Sequence, residues 1–386
     1  MAGTKRDPYN NEKEYLEWRK EVKDRIPDIS KHNSDLILSF LSDMEIGINV
    51  GKGSKKGSRS FIRLRTLRDK LLFVFKKINE FCNIDKITEV SEEQLHSFFS
   101  GMETGKIKKS NGENYMAVGD YVKIFKAFWH WHMKVNRKKG IEIPDITLDL
   151  DTKQEKPDWV YLTEEQVKKL ANSAKPDYKV LILFLFDTGI RSPTELINIK
   201  VSDFFNDFKE MNIREEVSKT FGRRIKLMIC SELVKEYVKD KNLKAEDYVF
   251  DICPPVVNRY LRRLSTKLFG DKESPAGQKY SELTMYDFRH NSCCYWLPRY
   301  KSESALKFRF GWKGSDKIHY YSELLGMKDT IQEEDLLIDV TKSDIEKRLE
   351  KSEKDKDMLQ EQIQSMEAQM KKILEVTNKL HEKIMG

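Results

Sequence analysis

The chain has 386 residues, 34 % of them charged, and a formal net charge of +7. That length exceeds what one core usually fills, so two globular domains with an appendage are expected, and the surplus of positive charge suits a polyanionic partner better than a membrane. Five scattered cysteines without CxxC spacing exclude a zinc ribbon or a dithiol redox motif, and no stretch approaches the roughly 18–20 apolar residues of a spanning helix, so a soluble, unprocessed cytoplasmic protein is expected.

Residues 1–30, which open on the polar stretch MAGTKRDPYNNEKEY, read as an N-terminal arm. From about Asn33, Leu36, Ile37, Phe40, Leu41 and Met44 share one helical face, and Gly47 is placed to end that helix. Residues 62–81 predict a long amphipathic helix, with Ile62, Leu64, Leu67, Leu71, Val74, Phe75, Ile78 and Phe81 at helical spacing. Ser91 with Gln94 forms a capping box that opens a short helix, and a further helix over about 114–138 carries Phe125, Phe128, Trp129 and Trp131, enough aromatic area to anchor a small helical domain over 31–139. His130 and His132 alternate with these tryptophans and read as aromatic core rather than metal ligands.

Residues 140–158, with Gly140 and two prolines, lack a helical period and read as the linker. Thr163 and Gln166 make a second capping box, opening a second domain over 159–335. The apolar run 180–186 predicts a fully buried helix. MNIREEV and IKLMI, either side of SKTFGRR, predict a hairpin, and helices resume from about Ser231 and about Pro255. From Ile345, apolar residues at heptad spacing (Leu349, Leu359, Ile363, Met366, Met370, Ile373) set among Glu, Lys and Gln predict a coiled coil over 340–386.

Residues 51–70 hold eight basic residues against one acid. Lys52, Lys55, Lys56, Arg59, Arg63, Arg65 and Arg68, partly on a loop and partly along a helix, are candidate DNA-phosphate ligands. The loop GKGSKKGS lacks the spacing of a nucleotide-binding P-loop.

Four further stretches carry chemistry. DTGIRSPTEL contains Arg191, with Ser192, Pro193 and Glu195 spaced as N-cap, N1 and N3 of a helix start that would place the arginine just outside it. Lys219 lies in the expected hairpin turn, where Arg223 and Arg224 are also candidates for a proton donor. YDFRH supplies Tyr286, Arg289 and His290; FGWKGSDKIHYY supplies Trp312 and, nine residues on, Tyr321, with Tyr320 as its rival. Two guanidinium forks can hold the non-bridging oxygens of a phosphate while charge builds up, and a phenol with a pKa of about 10 can act as nucleophile once its proton is withdrawn or its anion stabilised.

In order, over about 130 residues, these stretches resemble the active site of the tyrosine recombinases. Two positions depart from the family pattern: Glu195 follows its arginine by four residues where the family has three, and Tyr286 stands where the family has a histidine. The resemblance implies a mainly α fold with a small antiparallel sheet, a SAM-like helical core-binding domain as in archaeal integrases, and a catalytic domain. It further implies that Tyr321 attacks a DNA phosphate to leave a 3′-phosphotyrosyl bond. Arg191, Arg289, Tyr286 and Trp312 would form the phosphate shell, and Lys219 would protonate the leaving 5′-oxygen. Four protomers would act on two duplexes without cofactor or metal. His290 is expected to hold the local fold. A type IB topoisomerase, which reseals the strand it cuts, and a non-enzymatic architectural DNA-binding protein are the alternatives.

Overall fold

A computed structural model of the chain describes residues 6–325 apart from 24, 52–55, 153–157 and 301 and the side chains of 317, 323 and 324, together with four separate residues further on (356, 360, 363 and 370). Met1–Leu324 forms one compact unit and Leu325–Gly386 another. Except for those four residues, the coiled coil expected over 340–386 lies outside the described residues, as do Lys52 and Lys55.

The first core is helical. It contains α1 (Asn11–Glu21), α2 (Lys31–Ile46), α3 (Phe61–Cys82), α4 (Glu92–Glu103) and α5 (Val118–Arg137). Apolar periodicity explains most of this: Leu64, Leu67, Leu71, Val74, Phe75 and Ile78 of α3 are buried against Phe125 and Phe128 of α5 and Phe40 of α2. Burying each such side chain stabilises the fold by roughly 1.5–3 kcal/mol. Gly47 closes α2 in the left-handed conformation (φ 80°), and the Ser91–Gln94 capping box opens α4. His132 stacks on Phe128, and His130 meets Asp145 at 2.9 Å. No group of three metal-binding side chains occurs among the described residues.

Two segments differ from their sequence reading. The stretch read as an arm contains α1, whose Tyr15 is fully buried, hydrogen-bonded to Glu45 and packed on Trp18 and Phe61. Its few apolar residues suffice because Val22, Ile26 and Ile29 continue the same contact. Likewise Ile146 and Leu150, within the expected linker, pack into this core, and Trp129 donates its indole N–H to the Pro144 carbonyl.

Ahead of α1, Arg6 reaches the second core. Its backbone exchanges hydrogen bonds with the Asn198 side chain at 2.7 and 3.0 Å, its guanidinium pairs with Asp251 at 2.8 Å, and it covers the Tyr248 ring at 3.8 Å.

The second core is organised around α7 (Pro176–Thr188), which follows α6 (Glu164–Ser173), the helix opened by the Thr163–Gln166 capping box. Over residues 180–186, which are apolar on all faces, α7 is enclosed by its neighbours. After it comes a three-stranded antiparallel sheet, β1 (Phe204–Phe205), β2 (Glu210–Ile213) and β3 (Arg223–Lys226), in that spatial order with Met211 opposite Ile225. Burial alternates along β3, so Arg223 and Ile225 face inward while Arg224 and Lys226 face solvent. Then follow α8 (Ser231–Asp240), α9 (Pro254–Phe269), α10 (Asp287–Trp296), α11 (Glu303–Phe310) and α12 (Asp316–Leu324). Mainly helical architecture with a small antiparallel sheet is thus observed. Among the described residues no helix is long and apolar enough to cross a membrane.

Polar anchors fix α10 and α11. Asp287 accepts hydrogen bonds from the Val160 and Thr284 backbone N–H groups, and Asn291 bonds both Leu162 and Val160, so the strand-like segment 159–162 is tied along α10. Asp187 at the end of α7 accepts three backbone N–H groups from Met228, Ile229 and Cys230 and pairs with buried Arg309 of α11 at 2.9 Å.

Candidate active site

Helix α7 ends on Gly189, whose left-handed backbone (φ 56°) and lack of a side chain let Phe310 approach; a Cβ there would lie 2.3 Å from the Phe310 ring. Two residues later Arg191 turns toward the end of α11. Its Nη2 donates to the Gly311 carbonyl at 2.9 Å and its Nη1 to Glu195 Oε1 at 2.7 Å. Arg289, on α10 and almost wholly buried, donates to the Gly189 carbonyl at 2.6 Å and to the Phe310 carbonyl. The two arginines therefore hold successive carbonyls of the turn that delivers Trp312. Burial, with the like charge of Arg191, pushes the Arg289 guanidinium down to about 10, which leaves it charged at neutral pH.

The helix start expected at Ser192–Glu195 does not form. Ser192–Pro193 is a cis peptide, turns follow, and Leu196–Asn198 is a short 3-10 segment. Glu195 instead folds back, fully buried, between Arg191 and Arg223, with Arg223 Nη2 at 2.8 Å from Oε2. Burial alone would raise its pKa, but the Arg223 hydrogen bonds and charge, with Arg191, hold the carboxyl down at about 2. Arg223 also donates Nε to the Arg309 carbonyl, so it is a buried brace and not a candidate proton donor. Arg224 is half exposed and pairs with Glu210.

Lys219 is exposed in the turn between β2 and β3. The residues flanking it are docked: Ser218 Oγ donates to Glu195 Oε1 at 3.2 Å and Thr220 Oγ1 to the Gly311 carbonyl at 2.9 Å. The hairpin turn is thereby pinned to the arginine network, with Lys219 at its rim.

Tyr321, on α12, lies in the same cluster. Phe310, Trp312 and Tyr321 form a stack, with centroids 4.9 and 5.9 Å apart and rings within 20° of parallel, and Arg289 flanks it 6.0 Å from the Trp312 ring. Tyr321 is 3 % exposed, and burial pushes its phenol well above its ordinary value. Its hydroxyl is 2.5 Å from His290 Nδ1. His290 stacks on Trp159 at 4.8 Å, and the Trp159 indole N–H donates to the Tyr320 hydroxyl at 2.8 Å, so the two tyrosines have separate partners. Tyr286 is 47 % exposed and meets the His290 ring edge-on at 5.3 Å.

No family model and no curated protein matches the sequence. Solved structures do. A lambda integrase(75-356) dimer bound to a COC' core site matches with a TM-score of 0.55 at 14 % identity, over 76 % of this chain and 98 % of that one. XerH site-specific recombinase bound to palindromic difH matches at 0.51 and 15 % identity over 80 % and 90 % of the two chains, and the Tn1549 transposon integrase with circular intermediate DNA at 0.51 and 13 % over 76 % and 98 %. The fold is that of the tyrosine recombinases.

Within this tyrosine-recombinase fold, Arg191, Arg289, Trp312 and Tyr321 share one cluster, while Lys219 and Tyr286 border it through Ser218, Thr220 and His290. Sequence reasoning missed the Glu195–Arg223 bridge, the Trp159 platform and the contact of His290 with the phenol. The one local signal was that His290 directly follows an arginine of the site.

In the first core, Lys56 and Arg63 are exposed and Arg59 is partly exposed. Arg65 and Arg68, also expected to contact DNA, turn inward: Arg65 binds Glu14 at 2.7 Å and the Tyr9 carbonyl, and Arg68 covers Trp18 and pairs with Asp69. The cause is α1, which covers that side of α3. A groove of about 980 Å³ runs beside Lys56, Lys134, Arg137 and Lys138, bringing the basic end of α5 next to the basic loop.

Proposed function

We propose that this chain is a site-specific DNA recombinase that cuts and rejoins strands through a covalent 3′-phosphotyrosyl bond on Tyr321. The observation that carries this reading is the convergence of Arg191 and Arg289 on the Phe310–Gly311 turn, with Tyr321 stacked on the Trp312 that follows it. A guanidinium has five N–H groups, so the carbonyl and carboxylate contacts of Arg191 leave donors for a phosphate oxygen. Arg191 and Arg289 stabilise the transition state, Trp312 and Tyr286 complete the phosphate shell, and Lys219 at the rim of the site protonates the departing 5′-oxygen. The phosphotyrosine conserves the energy of the broken bond, so a 5′-hydroxyl from a partner duplex reverses the step without cofactor or metal. Residues 31–139, with the basic groove and loop, grip the duplex, and residues 159–335 carry the chemistry. Four protomers assemble on two duplexes, and the heptad segment 340–386 supports that assembly.

The test is to incubate the protein with duplexes carrying randomised cores and a nick, then recover detergent-resistant protein–DNA species. The wild type and Tyr320→Phe form a covalent adduct, and Tyr321→Phe forms none. Should no variant, wild type included, form an adduct on any DNA, the architectural reading replaces this one.

A further inference from the structure

Tyr286 leaves the family's usual proton acceptor missing, since a neutral tyrosine offers no base comparable with imidazole. We infer that His290 takes its place, receiving the Tyr321 phenol proton on Nδ1 during strand cleavage and returning it on rejoining; this rests on the recombinase reading above.

Geometry is the first support. Arg289 and His290 are consecutive on α10, and a helix turns successive side chains about 100° apart. Arg289 thus faces the Phe310 and Gly189 carbonyls while His290 faces α12, where its Nδ1 lies 2.5 Å from the Tyr321 hydroxyl. The imidazole is held in place: Trp159 stacks on one face, Tyr286 abuts it edge-on, and Trp159 is itself fixed through Asn291 and Asp287, which bind the adjoining Val160 and Leu162. Trp159 is a positioning residue, and its N–H to Tyr320 keeps the neighbouring phenol occupied elsewhere.

Chemistry is the second. A phenol whose pKa is raised by burial keeps its proton at rest and is the donor toward Nδ1 in the tautomer that leaves that nitrogen bare, the tautomer that transfer to His290 requires. Among the described residues, the titratable and charged groups that face the phenol include Arg289, Cys293 and Cys294 of α10, Tyr286 at its start and Tyr320 of α12; the segment before α6 and the turn before α12 present the indoles of Trp159 and Trp312. Burial raises both thiols, Cys294 to about 12, so they stay neutral and do not compete as bases. Among the described residues around Tyr321, His290 is therefore the base in hydrogen-bond reach.

The step balances. The phenol proton moves to His290 Nδ1, the freed oxygen pair forms the bond to phosphorus, the bond from phosphorus to the 5′-oxygen breaks, and that oxygen takes a proton from Lys219. The imidazolium holds its proton until an incoming 5′-hydroxyl expels the tyrosine.

The test uses the full chain and the DNA recovered with the wild-type adduct, following the rate of adduct formation from pH 6 to pH 10. His290→Ala is expected to be slower by a factor on the order of 10²–10³ at neutral pH. The gap should narrow, without closing, as rising pH enlarges the small phenolate fraction, and adduct formed by the variant at the alkaline end also shows that it is folded. His290→Asn, which can still hydrogen-bond to the phenol but is not basic, should be as slow as His290→Ala. A His290→Asn rate near wild type at neutral pH would reduce His290 to a spacer and overturn the inference while leaving the recombinase reading intact. Absence of any wild-type adduct would overturn both.

Discussion

Arg223 and Glu195 form a fully buried pair, joined at 2.8 and 3.2 Å, beneath the arginine that faces the site. The carboxylate is what lets two guanidiniums lie so close together, because it neutralises Arg223 while orienting Arg191. Glu195→Gln should lower stability at neutral pH by about 3–5 kcal/mol, as expected for breaking one side of a buried pair. Since its folded pKa is depressed from 4.5 to about 2, the carboxylate contributes stability that is complete above about pH 5 and is lost as pH falls toward 2, up to about 3 kcal/mol. Urea unfolding at pH 7 and pH 3 checks this. The wild type should lose more of its stability over that interval than the Gln variant does.

Gly189 is required twice, by its backbone and by the Phe310 ring. Gly189→Ala puts a Cβ 2.3 Å from Phe310 and 2.8 Å from Ser292 Oγ and strains a left-handed residue, whereas Gly140→Ala meets nothing within 4 Å. The left-handed strain common to both costs about 1–2 kcal/mol. Thermal melts should show the further loss from overpacking, about 1–3 kcal/mol, only at 189. Because Gly189 also receives Arg289, adduct formation should fall at 189 and stay at wild-type level at 140.

Basic residues of α3 and the loop before it should separate into two groups by salt dependence. Replacing Lys56, Arg59 and Arg63 by alanine should reduce the slope of log affinity for duplex DNA against log salt by about 0.9 for each phosphate that is no longer neutralised. Arg65→Ala should leave the slope unchanged and cost under about 1 kcal/mol of stability, since its partners Glu14 and Asp69 are half exposed. Fluorescence anisotropy at several salt concentrations distinguishes them; an equal change of slope for Arg65→Ala would mean that α1 moves aside on DNA.

Local chemistry made much of the fold legible. The Ser91–Gln94 and Thr163–Gln166 boxes both form as read, Gly47 ends its helix, and residues 62–81 fall within α3. These signals act over a few residues, so neighbouring sequence is sufficient to state them. Helix α1 was not legible because its apolar face is sparse, and what stabilises it is Glu45 and Phe61, supplied from elsewhere in the chain. The same limit applies to the site. An S-P-x-E spacing reads as a cap, but the carboxylate of Glu195 is captured by Arg223, 28 residues on, before it can serve one. His290 reads as ordinary packing until Trp159, far back in sequence, fixes the ring against Tyr321.

Helix α1 packs into the first core, while Arg6, just upstream, grips Asn198, Tyr248 and Asp251 of the second. The polypeptide therefore crosses from one core to the other twice, once through the covalent connection before Trp159 and once through this clasp. Any motion that parts the cores must unfasten the clasp, because the covalent crossing cannot break. Its ion pair is exposed, with the Asp251 side chain 86 % accessible, so it is worth under about 1 kcal/mol. The two Asn198 hydrogen bonds, at about 0.5–1.5 kcal/mol each, and the Tyr248 stack carry more of the clasp than its ion pair does, so its hold survives high salt.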